Sequence, residues 1–202
     1  MNILVLNGNP DRNNTEFDQY LSGYQLKLHK TGHYVKTFRL REMRINSLEG
    51  SKLQDASNRN LFAGDDTRYI INSLSDCDLL VWASPLTQGT LSLMTRMVQD
   101  HINRYFQDNL TDQSNHWHHG SAEHRIPLIG VIVQPENDTT PKQMLLIRLA
   151  QERMAADVKM VMSFMITTES GPAGAVCETF RSFDYRLFIE STCEDFLAHM
   201  AS

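Results

Sequence analysis

Residues Gly8 to Thr15, GNPDRNNT, stand between an apolar run and a helical pattern, where free backbone N–H groups accompany the side chains of Asn9, Asn14 and Thr15. Donors aimed from a helix start, with the helix dipole behind them, suit a phosphate. The same residues are also ordinary turn formers, Asn-Pro and Asn-Asn, so a purely structural turn is the alternative reading. No Gly-Lys-Ser/Thr follows at the spacing of a nucleotide-hydrolysing loop and GxGxxG is absent, which removes support from ATP hydrolysis and ordinary dinucleotide binding. A second polar segment, Ser84 to Thr90 within DLLVWASPLTQGTLSLM, again joins an apolar run to an amphipathic stretch. Open α/β sheets bind ligands outside the carboxyl ends of their parallel strands, so the two loops predict one shared pocket.

Other reactive residues form weaker patterns. Ser84 follows a strand, but Pro85 stands where a nucleophile elbow needs glycine and no Asp/His partner can be assigned, so a hydrolase is disfavoured. The pair Asp65-Asp66 reads as the start of a helix, where carboxylates meet the positive end of the dipole, rather than as an acid–base couple. His116, His118, His119 and His124 invite a metal, yet no Cys, Asp or Glu stands at a recognised ligand spacing; a surface loop or dimer contact is the preferred reading. Cys77, Cys177 and Cys193 make an odd set without a CxxC pair, as expected of packed thiols in a reducing compartment.

The elements that must position the two loops alternate between strand and helix, the pattern of a parallel α/β sheet. Strands are expected at residues 2 to 7, 33 to 40, 78 to 83, 127 to 133 and 158 to 167. The run PLIGVIV is almost wholly apolar, as a strand covered on both faces requires. Helices are expected from Thr15 to Lys30, from Asp65 or Asp66 through Leu74, from Thr90 to Phe106, from Pro141 to Ala156 and from Glu178 to Met200. Residues 41 to 64 and 108 to 125 read as irregular connections.

A chain of 202 residues is long enough for one large domain spanning residues 1 to 202. The net charge of -5 offers no broad basic field, which argues against a nucleic-acid partner. No apolar run approaches the ~20 residues of a membrane span. The first residues lack the pattern of a signal peptide, and the cytoplasm is the expected location.

Together, NGNPDRNNT and WASPLTQGTLSLM resemble the NADPH-dependent FMN reductase family of flavodoxin-like proteins over residues 1 to 165. Members of that family carry GSPRxNSNT and SPxYWGxxSxxxK in the two loops. The matching positions are Gly8, Pro10, Asn14 and Thr15, then Ser84, Pro85, Gly89 and Ser92. The resemblance implies a flavodoxin-like, doubly wound sheet of five parallel strands in the order 2-1-3-4-5. It also implies FMN as cofactor, NADPH or NADH as reductant, a small-molecule electron acceptor such as a quinone or free flavin, and a homodimer. Asn9, Arg12, Asn14 and Thr15 would then hold the phosphate. The edge of the flavin ring would lie along Pro85, Leu86, Thr87, Gln88 and Gly89.

The chain departs from the family pattern at Asp11, at Thr87-Gln88 in place of Tyr-Trp, and in the third loop, Gln134 to Thr140, which is not glycine-rich. Arg12 can partly offset Asp11, and Gln88 can hydrogen-bond a ring atom. The cysteine cluster of iron–sulfur relatives is absent from residues 41 to 64. Flavin chemistry belongs to the cofactor, so no catalytic acid or nucleophile is nominated. An electron-transfer or binding module without NAD(P)H turnover, with or without flavin, is the alternative.

Overall fold

A computed structural model describes residues 1–48, 64–110 and 126–181, the side chains of 108–110 excepted. Its frame is a parallel sheet of β1 (Asn2–Asn7), β2 (Tyr34–Arg39), β3 (Leu79–Thr87), β5 (Leu128–Gln134) and β6 (Met162–Thr167). A two-residue strand, β4 (Thr90–Leu91), pairs antiparallel with the end of β3. The order across the sheet is β2-β1-β3-β5-β6, with β4 off the path. The expected numbering 2-1-3-4-5 therefore changes because the short hairpin strand intervenes, while the five parallel strands keep their expected neighbours. Between β1 and β3 the order reverses direction, which makes their carboxyl ends the switch point.

The helices are α1 (Thr15–Lys30), α2 (Thr67–Leu74), α3 (Leu93–Leu110), α4 (Pro141–Asp157) and α5 (171–181). Alternation along the strands divides the core. Leu4, Leu6, Leu80, Trp82, Ile129 and Val131 pack with residues of α2, α3 and α4 such as Ile70, Leu74, Val98, Ile102, Phe106 and Ile147. On the opposite face, Ile3, Val5, Val81, Ala83 and Ile132 meet Phe17, Leu21, Tyr24 and Leu28 of α1 and Ala175 and Val176 of α5. The two clusters are the two layers that a doubly wound sheet requires.

Several boundaries differ from expectation for local reasons. β3 runs on through Thr87 instead of ending at Ala83, because its ladder to β5 continues to Pro85 opposite Gln134. Helix α3 begins at Leu93 rather than Thr90, since Gln88 and Gly89 both adopt positive φ and close a two-residue hairpin turn. The last strand starts at Met162, not Val158: Val158 caps α4 and Lys159 turns the chain at φ 57°. The closing helix starts at residue 171 rather than Glu178, and its expected continuation to Met200 lies outside the described residues. Most of the expected connections 41–64 and 108–125 also lies outside them; within the described part, Leu40–Glu42 form a 3-10 turn.

Candidate functional site

Gly8 leaves β1 with its N–H donating to Ala83 of β3 at 2.7 Å, so the first loop starts locked to the central strand. Its carbonyl accepts the Ser92 hydroxyl at 2.6 Å. A Cβ at this position would lie 1.8 Å from Thr95 Oγ1, so only glycine permits this approach of α3. Ser92 in turn receives the Thr95 N–H at 3.4 Å and donates its own N–H to Ser84 Oγ at 2.9 Å. The loops after β1 and β3 are thus joined through the start of α3.

Most amide donors of the first loop are already engaged by the chain itself. Asn9 N–H donates to Asn7 Oδ1 at 2.9 Å and Asp11 N–H to Asn9 Oδ1 at 3.1 Å. The Asn13 N–H reaches the Asp11 carboxylate at 2.8 Å, and those of Asn14 and Thr15 reach carbonyls of Asp11 and Asn13. Asn9 is fully buried, with its amide donating to the Asn14 carbonyl and to Asp18. Asn14 caps α1 by accepting the Phe17 N–H, and its amide donates to Gln134 Oε1 at 2.7 Å, which ties the loop to the end of β5. Arg12 and Thr15 are exposed.

Beneath the loop lies a charged network that the sequence patterns did not reveal. Asp18 accepts Arg41 at 2.7 and 3.3 Å, Asn7 at 2.8 Å and Asn9 at 3.3 Å. Burial alone would raise the Asp18 pKa, but these donors outweigh it and hold the carboxyl below the usual range. A cleft of about 250 Å³ opens beside it, lined by Asn7, Asp18, Gln25, Thr37, Arg39 and Glu42 among others. A larger groove of about 510 Å³, with Asn2, Tyr34, Tyr69 and Asp76 in its wall, includes the amino ends of β1 and β2 and belongs to a different surface.

The segment after β3 divides into two parts. Pro85 and Leu86 are buried in the strand, whereas Thr87 and Gln88 are exposed and Gly89 is half-buried. The turn presents two neighbouring amide donors, and both are occupied by one side chain. Gln88 N–H donates to Glu136 Oε1 at 2.9 Å and Gly89 N–H to Oε2 at 2.8 Å. Glu136 comes from the third loop, where its own N–H donates to Thr139 Oγ1 just before the capping box of α4. No motif pointed to Glu136; only the loss of the glycine-rich pattern marked its neighbourhood.

Asp65 and Asp66 serve the helix start and the segment before it. Asp65 accepts the N–H groups of Thr67 at 2.6 Å and Asn46 at 2.8 Å, while Asp66 accepts that of Arg44 at 2.7 Å. Burial would raise the Asp65 pKa, and these bonds hold it low. Cys77 is packed, and burial pushes its thiol up to about 12, so it is inert near neutral pH. Among the described residues no group of three side chains is arranged to hold a metal; the four histidines at 116 to 124 lie outside them.

These features define a flavodoxin-like α/β fold with three loops gathered at its switch point. No protein-family model matches the sequence, and no curated protein matches it. Among solved structures, the fold is similar to that of RosB with the bound intermediate 8-demethyl-8-formylriboflavin-5'-phosphate, with TM-score 0.60 and 13% identity over 83% of this chain and 64% of that one. This chain therefore spans less than two thirds of that protein's length. It is also similar to an FMN-dependent NADH-azoreductase from Bacillus anthracis str. Ames Ancestor in complex with FMN, with TM-score 0.54 and 11% identity over 83% of this chain and 86% of that one. An NADH:FMN oxidoreductase in its apo form matches with TM-score 0.53 and 12% identity, covering 92% and 88%. At such identities the likeness establishes the fold.

The donor chemistry can be compared directly with FMN. At Gln88 and Gly89 two adjacent N–H groups already hold two oxygens, the arrangement that a carbonyl and neighbouring ring nitrogen of a flavin would use. In the first loop a phosphate must compete with the Asp11 carboxylate for the Asn13 N–H. The residues fit the ring on displacement of Glu136 and the phosphate on displacement of Asp11.

Proposed function

We propose that this protein is an FMN-dependent NAD(P)H oxidoreductase acting on a small-molecule acceptor such as a quinone or free flavin. The observation that carries the reading is the pair of adjacent amide donors at Gln88 and Gly89, both aimed at the two oxygens of one carboxylate, set at the end of the central strand and joined to the first loop. FMN, when bound, would accept hydride from the nicotinamide and pass reducing equivalents to the acceptor. The chain's own part would be to hold and orient. Gln88 and Gly89 would meet the ring edge, with Pro85, Leu86 and Thr87 beside it, and the buried end of β3 would fix the turn. Asn9 would shape the first loop from within, Asn14 would fasten it to Gln134, and exposed Arg12 and Thr15 would face the phosphate.

The test is the visible spectrum after incubation with FMN and removal of the excess. One retained flavin per chain, with steady NAD(P)H oxidation on adding a quinone, is the expected result. A protein that takes up no FMN under any loading condition would end this reading. A flavodoxin-like binding module without flavin is the second reading, and the internal engagement of the first-loop amides favours it. Bound flavin without NAD(P)H turnover would instead indicate an electron carrier.

The same proposal includes a homodimer and a cytoplasmic location. The free thiols of Cys77 and Cys177 are in keeping with a reducing compartment. No helix among the described residues is long and apolar enough to cross a membrane.

A further inference from the structure

We propose that Glu136 is a built-in occupant of the acceptor site at Gln88 and Gly89, and that its displacement sets the affinity of the pocket for the flavin ring. The inference rests on the flavin reading above. One carboxylate bridges both N–H groups, at 2.9 and 2.8 Å, so every donor of the pair faces an oxygen before any ligand arrives. Hydrogen bonds to a charged acceptor are stronger than those to a neutral one, so a neutral ring edge competes at a disadvantage. Specificity follows from the same competition: an isolated acceptor can replace only one carboxylate oxygen, whereas a ligand with two adjacent acceptors replaces both.

The setting permits exchange. Gln88 is exposed and Glu136 half-buried, so a released carboxylate can return to water without crossing the core. The backbone of Glu136 is held independently by Thr139, whose hydroxyl takes its N–H at 2.8 Å and whose own N–H reaches the Glu136 carbonyl at 3.0 Å. Movement can therefore be confined to the side chain. The turn has its own support in the Leu86–Leu91 and Thr87–Thr90 pairs, which do not involve Glu136.

The experiment compares the wild type with Glu136→Ala and Glu136→Gln, each first checked by thermal melting for an intact fold. Amide hydrogen exchange at Gln88 and Gly89 is measured without ligand, and FMN affinity by quenching of flavin fluorescence. The expected result is faster exchange at both amides in Glu136→Ala and binding about tenfold tighter, a factor equivalent to about 1.4 kcal/mol. Glu136→Gln, which retains a single amide oxygen, should fall between. Unchanged exchange in Glu136→Ala would overturn the occupation itself. Faster exchange with equal or weaker FMN binding would make Glu136 a support of the turn and overturn the proposal while leaving the flavin reading intact. If neither the wild type nor any variant binds FMN, the flavin reading fails, and the proposal with it.

Discussion

At the scale of single residues, two carboxylates of opposite consequence lie at the first loop. Asp11 takes the Asn13 N–H and places negative charge where the phosphate of FMN is proposed to bind. Asp11→Asn keeps an oxygen for the amide and removes the charge, so FMN affinity should rise by roughly fivefold, about 1 kcal/mol. Riboflavin, which has no phosphate, should bind both forms equally; a matching gain for riboflavin would place the effect in the ring site instead. Asp18 is the stabilising counterpart, since Arg41, Asn7 and Asn9 all donate to it. Its folded pKa lies below the ordinary value, so its contribution is complete above the unfolded carboxylate range and is lost as pH falls through the lowered folded value. Asp18→Asn should cost about 2 kcal/mol between about pH 5 and pH 7, with the difference shrinking below about pH 4. Urea unfolding at several pH values measures this, and a deficit that persists unchanged in acid would refute the ionic account.

At the scale of elements, hydrophobic pattern made the fold legible wherever burial and periodicity coincide. β1 and α1 have the expected bounds because an apolar run, an Asn cap and a Thr-Gly stop all act locally. The hairpin at 87 to 90 was not legible, since it depends on Gln88 adopting φ 54°, a conformation that a non-glycine residue rarely takes. The switch-point loops were legible as polar breaks after strands. Their internal bonding was not, because the contact of Glu136 with Gln88 joins residues 48 apart and has no local signature. Gly130 shows the same limit in the sheet: a Cβ there would meet the Phe164 ring at 2.2 Å, beside a break in the β5–β6 register. Gly130→Ala should therefore destabilise by about 3 kcal/mol. Trimming the ring in a Gly130→Ala, Phe164→Leu double variant should recover part of the loss. Additive losses in thermal or denaturant unfolding would show that the ring is not the obstacle.

At the scale of the whole molecule, α4 bears on the proposed homodimer because it is apolar on both sides. Ile147, Met154 and Ala155 face the core, yet Leu145, Leu146 and Leu149 remain 55%, 57% and 51% exposed. Such a ridge on one helix is costly in water and characteristic of an interaction surface. Its spacing is self-complementary: in an antiparallel pairing about a two-fold axis that crosses the exposed face midway between Leu145 and Leu149, Leu145 would lie opposite the partner's Leu149, and Lys142 opposite the partner's Glu152. An isologous interface uses each contact twice, so each substitution removes two. Burial of a leucine contributes about 2 kcal/mol, and Leu145→Lys with Leu149→Lys should weaken association by at least a hundredfold or so, leaving the monomer's melting temperature nearly unchanged. Sedimentation velocity across a concentration series tests this directly. A wild-type protein that stays monomeric throughout would remove the dimer from the proposal, and a dimer that survives both lysines would move the interface off α4.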